Sequence, residues 1–224
     1  MFEKSIGDFI LWFVVFLFSL SFHEAAHAWT AHRFGDDTGY YLGRVSLNPM
    51  AHIDLLGTII FPILNFISGV PLIGWAKPVP VNPLLLRNTR RHHMLVSLAG
   101  PGSNLLLAVG FIVVISLMGL NWERVAGSLG PAFVPLGKML LMGLILNVAL
   151  AVFNLIPIPP LDGHWIVYHL LPDRAAEAFD HVRPFGFLLL YALVLLGALR
   201  FVFTPVLWVI TGIRPVMELF TVLR

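Results

Sequence analysis

FILWFVVFLFSLSFHEAAHAW, residues 9–29, sets an uncharged apolar run directly against two histidines and a glutamate. A membrane-spanning helix needs about 17–25 mostly apolar residues, a length this run reaches once HEAAHAW is added. Ionisable groups at that depth are costly, so a cluster of them reads as a functional site. His23 and His27 are four residues apart. On a helix both imidazoles lie on one face, about one turn apart, and can reach one ion. Glu24 adjoins the first of them, giving the H-E-x-x-H arrangement: two zinc ligands and a carboxylate placed to deprotonate a water that the metal acidifies.

The rest of the chain supports a membrane setting. Of its 224 residues 58% are hydrophobic and 12% are charged, against roughly 25% charged in an average soluble domain. Residues 55–76, 92–122 and 139–161 contain no Asp, Glu, Lys or Arg, and each stretch is long enough to span a bilayer. Residues 184–213 are long enough too but are interrupted by Arg200 and Pro205. Lys4 before an apolar run and Ala26-His27-Ala28 superficially fit a cleaved signal peptide. The run is long for that role and further spans follow, so the first span is expected to be retained. The expected architecture is an all-α polytopic integral membrane protein, a single domain over 1–224, with about 4–6 transmembrane or re-entrant helices. The absence of cysteine excludes disulfides, iron–sulfur clusters, thiol catalysis and cysteine-ligated zinc. The net charge of +2 comes from basic residues in short loops, where they act as topology signals, so no nucleic-acid partner is expected.

Four polar segments separate the spans, the first a loop rich in turn residues over Arg33 to Pro49. GWAKPVPVNP, residues 74–83, cannot be helical, because its prolines fix φ and push their predecessors towards extended conformations. RNTRRHH, residues 87–93, is a basic patch. DRAAEAFDHVR, residues 173–183, reads as a short interfacial helix capped by Asp173.

A zinc hydrolase of this kind needs a third protein ligand and an open position for water. Asp54 and Asp162 are the carboxylates attached to later apolar spans, and His52, His92, His93, His164 and His169 are the histidine options. Asp162 stands out, because it closes NLIPIPPLDG, residues 154–163, directly after an uncharged span. Pro157, Pro159 and Pro160 interrupt a helix at or near membrane depth, which is tolerated where the freed backbone lines a cavity or is buried in protein.

HEAAH followed far downstream by N-x-x-P-x-x-x-x-D-G (Asn154, Pro157, Asp162, Gly163) resembles the site-2 proteases, a family of intramembrane zinc metalloproteases. AGPGSN, residues 99–104, is similar to that family's G-P-x-x-N motif. The resemblance implies one Zn2+ per chain held by His23, His27 and Asp162, with Glu24 as general base. It implies that Asn154 positions the substrate or stabilises the oxyanion, with Gly100, Pro101, Asn104, Pro157 and Gly163 in support. The substrates would be transmembrane proteins cut within or near their spans, in the cell membrane of a prokaryote. PDZ or CBS domains do not fit into loops this short, so the chain looks like the minimal core form. It does not indicate an oligomeric state.

Topology tests this reading independently. His23 and Asp162 both lie towards the C-terminal ends of their spans and can share an ion only if those spans run in the same direction. One of the two apolar segments between them must then fail to cross. The segment at 55–74 is the expected one, being interrupted by Pro62, Asn65 and Gly69 and closed by Pro71. The positive-inside rule then compares Arg33, Arg44, Lys77, Arg87, Arg90, Arg91, Arg174 and Arg183 with Lys4, Arg124, Arg214 and Arg224. It puts the metal side in the cytoplasm. The rival reading is a transporter or channel using the same His/Asp cluster as a permeation or proton-relay site. Glu24 discriminates, since such a site has no need of a non-ligand carboxylate beside a ligand histidine.

Overall fold

The computed structural model describes residues 5–70 and 72–223. Pro71, Lys4 and Arg224, which enter the topology argument, lie outside the described residues. The chain is 77% helical, with no strand among the described residues. Among the described residues four helices are long and apolar enough to cross a membrane: α1 (Ile6–Arg33), α3 (Thr89–Gly119), α4 (Trp122–Asn154) and α6 (Asp173–Leu195). Between them lie α2 (Leu55–Ser68) and α5 (Asp162–Leu170). The chain ends in α7 (Leu199–Thr211) and α8 (Arg214–Val222), bent by 88° relative to each other.

Local chemistry explains where these helices begin and end. Ser5 caps α1 by accepting from the Asp8 N–H at 3.0 Å, and Asn88 caps α3 by accepting from the Arg91 N–H at 3.0 Å. Each satisfies a backbone donor that the first turn leaves free. Asp54 does the same for α2, accepting from the Leu56 and Gly57 N–H groups. Gly69 then stops α2 with φ +71°, a left-handed conformation that favours glycine. Two expectations need correction. The helix beginning at Asp173 has Pro172 at its cap position and no side-chain cap, so Asp173 is its first residue and acts on the helix dipole. The apolar region 184–213 breaks at Gly197, with φ +66°, and Arg200 lies inside α7.

Side-chain pairs fix the directions of the helices. From the start of α1 to its end, Asp8 meets Lys138, Ser19 meets Asn147, and His23 meets Asp162, so α1 and α4 run the same way. On α3 the order is reversed, with Asn104 against His23 and Val96 against His27. A single return crossing therefore separates α1 from α4. The 14 residues of α2 would rise only about 21 Å, and the chain closes back on itself after it. The Trp75 N–H donates to the Gly57 carbonyl at 3.2 Å, and the Lys77 N–H to the His52 carbonyl at 2.9 Å. The segment 55–77 thus ends beside its own start, as a re-entrant element does. Buried Ile115, Leu141, Leu144, Val216 and Leu219 lock α3, α4 and α8 together.

Candidate metal centre

His23 and His27 lie on the buried face of α1, and Asp162 opens α5 just past the end of α4. The break between α4 and α5 carries the prolines of NLIPIPPLDG and turns the chain so that Asp162 points back at α1. Gly163 permits that turn, because a Cβ there would meet the Leu155 carbonyl and come within 2.5 Å of the Ile156 oxygen. The three side chains converge. The Nε2 atoms of His23 and His27 are 3.0 Å apart, His23 Nε2 is 3.2 Å from Asp162 Oδ2, and His27 Nε2 is 3.3 Å from Asp162 Oδ1.

These separations fit a metal. Two ligand bonds of about 2.0–2.1 Å at a tetrahedral angle put the donor atoms about 3.3 Å apart. Asp162 Oδ2 is buried without a hydrogen-bond partner. Both imidazoles also present the required tautomer. His27 Nδ1–H donates to the Val96 carbonyl at 2.7 Å, and His23 Nδ1–H to Asn104 Oδ1 at 2.6 Å. That leaves each Nε2 lone pair for the ion. On α3, Gly100 fits because a Cβ there would strike His27 Nε2 and stand 2.6 Å from His23 Nε2.

The cluster opens into a cavity of about 640 Å³ lined also by Glu24, His93 and Asn154. Glu24 is almost wholly buried, and its Oε2 accepts a hydrogen bond from the Val79 N–H at 3.0 Å. Val79 belongs to the non-helical strap formed by residues 72–82, the Pro-rich stretch, which lines the cavity. Asn154 lines the cavity, but its amide donates to the Leu150 carbonyl of its own helix at 2.9 Å. Pro101 is buried within α3. Pro157 is exposed and does not line the cavity.

The other metal-ligand options lie elsewhere. Asp54 caps α2, His52 Nε2 bonds the Ser46 carbonyl, His92 stacks on Phe34, and His164 pairs with Asp180. His93 faces the cavity but its Nδ1 is 2.9 Å from Nε2 of His169. Sequence reasoning missed Val79, whose contribution is a backbone N–H, and Ser19 and Asn147, single polar residues in apolar spans whose spacing carries no signal.

A helical membrane bundle with two histidines of H-E-x-x-H and an aspartate on one ion-sized gap belongs among the membrane-embedded metallohydrolases. The comparisons narrow that class. The family model for Peptidase family M50 matches residues 11–196, and the chain belongs to that family. It is 36% identical over 196 residues to "Putative zinc metalloprotease YwhC" of Bacillus subtilis (strain 168), covering 87% of this chain and 84% of that one. It is 32% identical over 205 residues to "Putative zinc metalloprotease Rip2" of Mycolicibacterium smegmatis, covering 91% and 74%. No solved structure matches it significantly.

Proposed function

We propose that this chain is an intramembrane zinc endopeptidase that hydrolyses peptide bonds within or near transmembrane segments of other membrane proteins. The observation that carries the reading is the closure of His23, His27 and Asp162 on one ion-sized gap, with Glu24 beside it, inside a helical membrane bundle. Held by those three side chains, zinc would supply Lewis-acid chemistry, acidifying a water and polarising the scissile carbonyl. Glu24 would take a proton from the attacking water and return it to the leaving amine. Asn154 must let go of the Leu150 carbonyl before its amide can face a developing oxyanion.

The strap supplies the substrate's place. A helical peptide bond is covered and hydrogen-bonded, so the segment to be cut must unwind and lie extended. Trp75 and Lys77 direct their N–H and C=O groups away from the cavity, to Gly57, Thr58, His52 and Arg44. Ala76, between them, lines the cavity, and the strap there is the edge that an unwound substrate would join. Substrates whose spans contain Gly, Pro, Asn or Ser should unwind most easily.

The charge balance of the loops supports a cytoplasmic position for the metal side. A purified sample with a panel of tagged single-span substrates in liposomes tests the whole reading. Wild type should cut within the span, and Glu24→Gln should keep its zinc while losing about 100-fold or more in rate. Failure of wild type to bind zinc would sink the reading at its root.

A further inference from the structure

The two ligand histidines are held by unlike means. The partner of His27 is a backbone carbonyl, which can only accept, so Nδ1 must carry the proton. The partner of His23 is the side-chain amide of Asn104. An amide can turn over and present its NH2 instead, which would require an unprotonated Nδ1 and put the proton on Nε2, where the metal must bind. Something must fix which way Asn104 faces.

We infer that Asn147 and Ser19 are positioning residues which, through Asn104, set the tautomer of His23. The network has a direction. Asn147 Nδ2 donates to the Gly143 carbonyl at 2.8 Å and to Ser19 Oγ at 2.9 Å. The Gly143 oxygen can only accept, so the Asn147 NH2 is pinned there and its Oδ1 is turned towards Asn104. Asn104 Nδ2 donates to that Oδ1 at 2.8 Å and to the Ser19 carbonyl at 3.4 Å. Its own Oδ1 is thereby left for His23 Nδ1–H at 2.6 Å. Asn104, Asn147 and Ser19 are all fully buried, so no solvent competes for these bonds. In that setting an amide turned the wrong way leaves unpaired donors and acceptors, which are costly away from water. Two backbone carbonyls on α1 and α4 therefore dictate, across α3, which nitrogen of His23 is free.

The inference rests on the zinc reading and is tested by zinc affinity, measured on folded protein in detergent by competition with a chelator. Asn147→Leu removes the acceptor that orients Asn104 and should weaken zinc binding about 10–100-fold, the usual effect of losing a ligand's supporting partner. Asn104→Asp offers His23 nothing but acceptors and needs no orienting. Its second oxygen then faces the Asn147 Oδ1 and the Ser19 carbonyl, so its own affinity serves as the baseline, and in its background Asn147→Leu should not weaken zinc binding further. A merely structural Asn147 would leave the affinity of the folded fraction unchanged, or lower it equally in both backgrounds, and either result overturns the inference. Where Asn147→Leu gives no folded protein, Asn147→Ala, which cannot clash but leaves a cavity, is read in the same two backgrounds. Zinc binding by wild type that is indifferent to Asn147 refutes this inference alone, whereas absence of zinc from wild type refutes the reading beneath it.

Discussion

Gly100 sets how closely α3 approaches His23 and His27. A single methyl there would collide with both imidazoles, and overpacking of that kind costs about 1–3 kcal/mol. Gly100→Ala should therefore reduce zinc affinity by about tenfold or more, read as metal content after dialysis, while far-ultraviolet circular dichroism stays unchanged. The residues proposed for the chemistry, which the fold brings together, stood out because this chain has so few charged groups. In a sequence with 12% charged residues, HEAAH on an apolar span and an Asp after a proline break stand out against their background. Gly100 and Asn104 were flagged by a motif, yet their physical roles, clearance for two rings and an acceptor for one of them, needed the packing of α3 against α1. Asn147 and Ser19 stayed hidden, since a lone polar residue in a span is read as a helix-packing hydrogen bond unless its partner is known.

At the scale of elements, the strap and α2 act as a pair. Trp75 packs directly over Gly57, where a Cβ would come within 2.6 Å of its ring. Gly57→Ala should push the strap off its anchor. Backbone amides of residues 75–79 should then exchange hydrogen faster, and substrate processing should fall while zinc content holds. Asp54→Ala, which removes the cap of α2, should cost about 1 kcal/mol, seen as a lower unfolding temperature. That the strap is not helical was readable from its prolines alone. That 55–77 folds back beside its own start was expected from the need to align His23 with Asp162. The break at Gly197 was not, because Arg200 and Pro205 gave the stronger sequence signals and a glycine's φ is chosen by its surroundings.

For the molecule as a whole, direction and metal linkage are both measurable. The native chain has no cysteine, so single substitutions report topology without background labelling. Ser46→Cys and Arg174→Cys should react with a membrane-impermeant reagent from one face, and Ser128→Cys from the other; labelling of Ser46→Cys and Arg174→Cys from opposite faces would refute the arrangement. Zinc bound only by the folded state should stabilise it by about 2.7 kcal/mol at a concentration of 100 times its Kd, so chelation should lower the unfolding temperature measurably. The hydrogen bond from Val79 to Glu24 bears on how this molecule passes its time. A membrane is crowded with helices that must not be cut, and here Glu24, the proposed base, rests with one oxygen already engaged by the molecule's own backbone. A strap that shifts to admit a substrate would have to exchange that hydrogen bond for another, in the way that loop motions gate many enzymes. Substrates differing only in the amine they release should be cut at equal rates, and those differing in how readily they uncoil should not.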